Sequence, residues 1–164
     1  MKGTYILIIS LKSKKRIKVG SLGYIDFDKG YYFYVGSAFG KSTSLENRIA
    51  RHLRKEKKIR WHIDYLLSDD DAEIIRVLTF RGRKECRIAR KLSKTFIGIK
   101  KFGSSDCKCY SHLFHSKKLN FSLFHQQRVA NYRHRAQGHG HTSYYRIQQE
   151  TINRIEQTRC YWNA

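Results

Sequence analysis

Residues 30–62 constrain this chain more than any other stretch: an aromatic run ending in glycines, GYYFYVGSAFG, leads straight into the basic segment KSTSLENRIARHLRKEKKIRWH. Residues 31–35 are all aromatic or β-branched and follow a glycine, which reads as a strand. Side chains alternate along a strand, so Tyr32 and Tyr34 share one face while Tyr31, Phe33 and Val35 share the other. One face is expected to be core and the other to offer hydroxyls. Past the glycines, Ser42, Thr43 or Ser44 can cap a helix, although Ser44 is followed three residues later by Asn47 rather than Glu, leaving the capping box incomplete. Leu45, Ile49 and Leu53 recur at helical spacing as a buried stripe, and Arg48 and His52, four apart, share the flank beside it. A strand carrying phenols next to a helix carrying a guanidinium and an imidazole suits an active site.

The remaining segments follow the same logic. Residues 4–11 are apolar and β-branched throughout, which predicts a strand covered on both faces. Residues 16–19 alternate charged and aliphatic side chains, residues 20–23 turn the chain, and residues 24–27 form a third strand. Asp28-Lys29-Gly30 between apolar runs is a hairpin signal, so the first 36 residues predict an antiparallel meander. Residues 61–67 predict a second, partly buried element, closed by a solvated acidic turn at Asp69, Asp70 and Asp71. Residues 73–80 read as a strand and residues 84–96 as a helix, with Cys86, Ala89, Leu92 and Phe96 inward and Glu85 near its positive end. The predicted class is α+β: a small antiparallel sheet flanked by helices over residues 1–116, with an extra N-terminal hairpin. In residues 117–164 aliphatics give way to Gln, His, Arg and Tyr, and this extension is expected to be disordered or partly helical, with a thin apolar stripe over residues 144–158.

Charge points to the partner. The chain of 164 residues carries +21, with 26 basic against 11 acidic side chains in residues 1–116 and 8 against 2 beyond. So much like charge repels itself unless a polyanion neutralises it. Lys14, Lys15 and Arg16, with Lys41, Arg51, Arg54, Lys55, Lys57, Lys58 and Arg60, are the candidate phosphate contacts, the plain alternative being solvated faces. No apolar run has the length of a membrane span and the opening residues lack a signal-peptide cleavage site, so a cytoplasmic protein without a membrane partner is expected. Four cysteines do not make a disulfide scaffold here. Cys107, Cys109, His112 and His115, with Cys86 as a further candidate, could hold zinc, but C-x-C followed by H-x-x-H is not the usual ligand spacing. Packing of Cys107 and Cys109 against the sheet, with His112 near the site, is the preferred reading.

Gly3-Thr4-Tyr5 and Tyr34-Val35-Gly36 resemble the two strand motifs of the GIY-YIG nucleases. The ordered set of GTY, YVGSA, RIARH, WHIDYLL, EC and FGSSDCKCYSH, over residues 2–115, is closer still to the Uri-type endonuclease branch. The resemblance implies an endonuclease that hydrolyses phosphodiester bonds in DNA, or RNA, selecting structure or single strands, with a part in DNA repair. It implies one Mg²⁺ or Mn²⁺ ion on Glu85, motif tyrosines Tyr5 and Tyr34, a helix arginine Arg48 followed one turn later by His52, and His62 as proton donor or phosphate contact. These residue types fit the task. A hard cation takes carboxylate, water and phosphate oxygens, a guanidinium fork holds charge on the non-bridging oxygens, and a tyrosine can serve as base if Arg48 and the metal lower its pKa. Two departures stand out: 28 residues separate Tyr5 from Tyr34, room for an inserted hairpin over residues 15–27, and no clear asparagine after Glu85 matches the one many family members use near the site, so Ser104, Ser105 or Asp106 would stand in. The alternative is a catalytically inactive nucleic-acid-binding module on the same scaffold, with the tyrosines as ordinary strand aromatics and Glu85 as a helix-dipole acid. An RNA-binding protein with a structural zinc is a third reading.

Overall fold

A computed structural model describes residues 1–40 and 43–119, together with the backbone of residues 130–131. In chain order the elements are β1 (Gly3–Leu11), β2 (Lys15–Lys18), β3 (Tyr24–Phe27), β4 (Gly30–Ala38), α1 (Leu45–Leu53), α2 (His62–Leu67), β5 (Ala72–Arg81), α3 (Glu85–Leu92), β6 (Ile97–Gly98), β7 (Leu113–Ser116) and β8 (Ala130–Asn131). The class is α+β, as the residue pattern predicts. Five antiparallel strands lie in the order β6-β7-β4-β1-β5, and β8 extends the β5 edge. The sheet therefore draws a strand from beyond residue 116. The predicted helix over residues 144–158 lies outside the described residues.

The strand boundaries near the N-terminus follow the expectation, but their pairing corrects the predicted meander. β1 pairs along its whole length with β4, from Gly3 opposite Ala38 to Leu11 opposite Gly30, whereas β2 and β3 pair with each other as a separate two-stranded sheet. The physical reason is burial. β1 and β4 are each nine residues long and apolar on both faces, so each hides most surface at the centre of a sheet covered on both sides. The short, alternating β2 and β3 bury one face only and serve as an inserted flap.

Both faces of the central sheet are core, contrary to the expectation of one hydroxyl-bearing face on β4. Tyr5, Leu7 and Ile9 of β1, with Tyr32 and Tyr34 of β4, pack under Leu45 and Ile49 of α1, Ile63 and Leu66 of α2, and Phe27 of the flap. On the opposite face Ile6, Ile8, Phe33 and Val35 meet Ile88, Ala89 and Leu92 of α3. Along β5 the parity changes: Ile74 joins the first layer, yet Val77 does so too, because the register slips between Ile8 and Ile9 and leaves Ile75 as an extra residue. That bulge changes which β5 side chains face each layer.

Two local predictions need revision. His52 is 2 % exposed, so it belongs to the buried stripe of α1 with Leu45 and Ile49, while Leu53 is only half-buried. α3 stops at Leu92, short of the predicted residue 96, although Phe96 still packs on Phe33 with ring centroids 4.7 Å apart. The acidic turn is not merely solvated either, since Lys15 of the flap reaches Asp69 at 3.4 Å and Asp71 at 2.9 Å. Among the described residues no helix is long and apolar enough to cross a membrane.

Candidate active site

β1 and β4 bring the two motif tyrosines together because Tyr5 lies opposite Gly36 and Leu7 opposite Tyr34 in the register. Their rings sit 6.5 Å apart, centroid to centroid. Gly36 has a steric reason to be glycine, since a Cβ there would collide with the Tyr5 ring. The Tyr5 hydroxyl lies 2.8 Å from His52 Nε2, delivered by the last turn of α1. Ser44 starts that helix, its Oγ accepting from Asn47 N at 3.2 Å, and Lys57 Nζ ends it by donating to the carbonyls of His52 and Arg54 at 3.0 and 2.6 Å. A hydroxyl acceptor at the first turn and an ammonium at the last both suit the helix dipole.

Burial dominates the electrostatics of this group. Desolvation pushes both phenols up; the Arg48 charge works against it and does not overcome it. The expected lowering of Tyr5 depends on Arg48 and a metal together, and Arg48 alone leaves it raised. Desolvation also pulls His52 down, to about 3, against the pull of Asp64, so at neutral pH an uncharged phenol faces an uncharged imidazole.

Asp64 organises the ground beneath. It is fully buried, and its carboxylate accepts from Arg51 Nη1 and Nη2 at 2.9 Å each and from the backbone N–H of Arg60 and Trp61 at 2.9 and 3.0 Å. Burial opposes its charge, but these donors prevail and hold its carboxyl below the usual range. His52 Nδ1 is 4.0 Å from Asp64 Oδ1 and is without a hydrogen-bond partner among the described residues. Trp61 meets two cations, with the Arg48 and Arg51 guanidinium carbons 4.5 and 4.2 Å from its ring centroid. Arg48 Nε is buried and likewise without a hydrogen-bond partner among the described residues. Sequence reasoning gave Asp64 and Trp61 no role. The only available signal was an acid placed to reach back to the start of α2, and the usual Ser or Thr partner at Trp61 is missing.

Glu85 arrives from the other side of the sheet. Thr4 Oγ1 donates to Gly82 O and accepts from Lys84 N, both at 2.9 Å, which pins the turn that launches α3. Gly82 has φ +78°, a conformation that favours glycine. Ser37, opposite Thr4 in the register, donates its hydroxyl to Glu85 Oε2 at 2.6 Å, and His112 Nδ1 stands 3.3 Å from Oε1. The last contact has ion-pair distance but not hydrogen-bond alignment. These neighbours, with the more distant Arg48, outweigh burial and keep the Glu85 carboxyl below its usual range. Its charge in turn acts on Tyr5 and Tyr34. An ionised carboxylate beside a serine hydroxyl is a hard-oxygen donor set, and it fits a cation that keeps most of its water.

His62 turns its Nδ1 towards Gly103 N, which donates to it at 3.1 Å, so a neutral ring carries its proton on Nε2. Partial burial lowers it further from its ordinary value. Gly103 sits at φ +68° with the Tyr34 ring behind it, which ties the loop after β6 to the motif strand. Of the three proposed stand-ins for the missing asparagine, Ser104 is buried, with its Oγ unpartnered among the described residues, and Ser105 and Asp106 are exposed.

The structure sorts the basic candidates. Arg51 is committed to Asp64 and to Lys58 O at 2.7 Å, Lys55 to the carbonyls of Asp69 and Ala72 at 3.0 Å each, Lys57 to the end of α1, and Lys15 to the acidic turn. Lys14 makes an exposed pair with Asp28 at 3.5 Å, and Arg16 lies 5.5 Å over the Tyr24 ring. Arg54, Lys58 and Arg60 are exposed at the end of α1. Lys41 lies outside the described residues.

A second cluster lies behind Glu85. Cys86, Cys107, Cys109 and His112 place their ligand atoms within 4.8 Å of one another, an arrangement able to hold a metal ion. This replaces the set read from sequence: Cys86 belongs to it and His115 does not. His115 sits opposite Tyr32 on β7, its Nε2 3.2 Å from Lys29 O and its ring 4.8 Å from the Tyr32 ring. His112 lies just before β7 and His115 within it, so the two side chains do not share the cluster.

Fold and site together define an α+β domain with a tyrosine, histidine and arginine group on one side of its central strands and a carboxylate beside a thiol cluster on the other. The chain belongs to DUF123, described as a domain of unknown function, which matches residues 4–135. No curated protein and no solved structure matches it.

Proposed function

We propose that the protein is a metal-dependent endonuclease of the GIY-YIG type, Uri-like branch, cutting DNA at phosphodiester bonds. The observation that carries this reading is geometric: Tyr5 and Tyr34 sit 6.5 Å apart with His52 2.8 Å from the Tyr5 hydroxyl, Arg48 lies against Trp61, and Ser37, next to the motif Gly36, holds Glu85 at 2.6 Å. The residual +21 charge supports a nucleic-acid substrate.

Each residue then has a task that its surroundings permit. The Arg48 fork, backed by the Trp61 ring and with Nε unpartnered, binds the non-bridging oxygens where charge builds up. Tyr5 stays protonated; with the imidazole proton on Nδ1 its hydroxyl donates to His52 Nε2, and its oxygen would then accept from the attacking water and orient it in line. His62, neutral with its proton on Nε2, is a donor for the leaving oxygen or a phosphate contact. Glu85, with Ser37 beside it, would hold Mg²⁺ or Mn²⁺, which supplies charge neutralisation and a more acidic water.

A second reading is favoured by the raised phenols and by the engagement of both Glu85 oxygens: a binding module that keeps the scaffold without cutting. Single-stranded, duplex and flapped DNA incubated with the full chain in Mg²⁺, Mn²⁺ or EDTA separate the two. Cleavage that needs metal and is lost in Arg48→Ala and Glu85→Gln is the expected result. Tight binding with no cut in any condition leaves the module.

A further inference from the structure

We propose that Cys86, Cys107, Cys109 and His112 form a closed, four-coordinate structural zinc site, with Glu85 as the carboxylate that orients the histidine ligand. Three features on one corner of the fold carry this. All three cysteines are free thiols, although their sulfur atoms and the His112 nitrogen lie within 4.8 Å of one another. Zinc–sulfur bonds of about 2.3 Å in a tetrahedron put sulfurs about 3.8 Å apart, so the four side chains need little movement to close on one ion. Cys107 Sγ is already 3.4 Å from His112 Nε2.

The histidine is the second feature. His112 is 1 % exposed, turns Nε2 to the thiols and presents Nδ1 to Glu85 Oε1 at 3.3 Å. A ligating histidine commonly gives its other N–H to a carboxylate, which fixes the tautomer and strengthens the ligand. The third feature is what the ion would fasten. Between β6 and β7 the chain runs through residues 99–112 with one large buried apolar side chain, Phe102, and with Lys101 and Gly103 at φ +62° and +68°. That loop supplies Cys107 and Cys109, and α3 supplies Cys86, so a single ion would staple an irregular segment to a helix.

Three thiolates and one imidazole fill all four positions, which leaves none for water or substrate. The site is therefore structural, shares only Glu85 with the hard-oxygen cation proposed there, and its test needs no nucleic acid. The experiment is metal analysis of the full chain as purified, followed by replacement with Co²⁺ and competition against a chelator. One zinc per chain is expected, along with the visible absorption of tetrahedral thiolate-bound cobalt. Cys107→Ser and Cys86→Ser should abolish both, and His115→Ala should keep one zinc. Glu85→Gln should keep the metal but weaken it about 10–100-fold against the chelator. If a cysteine variant fails to fold, the cobalt spectrum of the wild-type chain decides alone. Absence of zinc with freely reactive thiols, a disulfide among the three cysteines, or iron in place of zinc would each overturn the proposal.

Discussion

Asp64 and Glu85 make a natural pair. Each carboxylate faces the Nδ1 of a histidine, His52 at 4.0 Å and His112 at 3.3 Å, and each histidine turns its Nε2 to a second group, the Tyr5 hydroxyl or the Cys107 thiol. The surroundings separate them. Asp64 is fully buried under two guanidinium and two backbone donors, whereas the Glu85 side chain is 24 % exposed with Ser37 and His112 as its close partners. A saturated carboxylate fixes structure, and a partly exposed one with a single close partner on each oxygen can still take a cation.

The sharpest way to break this contrast is to remove each carboxylate in turn. Asp64→Ala leaves the half-buried Arg51 without its carboxylate and two backbone N–H groups bare, and should cost about 2–4 kcal/mol in a denaturant titration. Glu85→Gln keeps the shape and an oxygen for Ser37, and should cost less than Asp64→Ala, about 1.4–2.7 kcal/mol through the weakened metal site, while losing cleavage. Equal losses of stability would erase the distinction.

Next in size is Gly36→Ala. Its Cβ would meet the Tyr5 ring, and overpacking of this kind costs about 1–3 kcal/mol. Displacement of Tyr5 from His52 should also lower cleavage. Wild-type stability with intact activity would mean that the motif glycine is not needed for the tyrosine's position.

How far such residues were legible in the sequence depended on whether their signal was local. β1, β4, β5, the inserted flap and a cap within residues 42–44 were readable because strand patterning, turn glycines and capping hydroxyls act within a few residues. The partner of β1 was not, since residues 16–19 and 31–35 both look like strands and only burial across the whole sheet chooses between them. His52 read as a flank residue because a lone imidazole on a stripe edge gives no sign that a phenol 47 positions away will meet it. Cys86 was only a candidate ligand and His115 a mistaken one, for the same reason: the cluster joins a helix to a loop across the core.

The pH profile of stability sharpens the comparison further. His52 is held down at about 3 in the folded chain, so between about pH 6.5 and 3 the unfolded state binds the extra proton. Stability from this group is complete above pH 6.5 and falls as pH drops through that window, by up to about 1.4 kcal/mol per pH unit. The lowered carboxyls of Asp64 and Glu85 act only at more acid pH, below their ordinary values. His52→Gln should flatten the upper part of the window and leave the acid limb, and a profile unchanged by the substitution would contradict the buried neutral imidazole.

The smallest effects belong to the surface. Lys58→Ala and Arg60→Ala should leave folding within about 0.5 kcal/mol of the parent. Each should reduce the slope of log affinity for DNA against log salt by about 0.9 if it contacts a phosphate. Arg51→Ala, by contrast, should register first as lost stability, because its guanidinium is already spent on Asp64.

The most direct measurement is single-turnover cleavage of a labelled flapped DNA in Mg²⁺ by the wild-type chain and Arg48→Ala, with affinity measured in parallel in EDTA. Arg48→Ala is predicted to slow the cut at least about 100-fold while binding stays within about tenfold. Equal rates from the two proteins, or wild-type chain that binds and never cuts, would contradict a reaction centre built on Tyr5, Arg48 and Glu85.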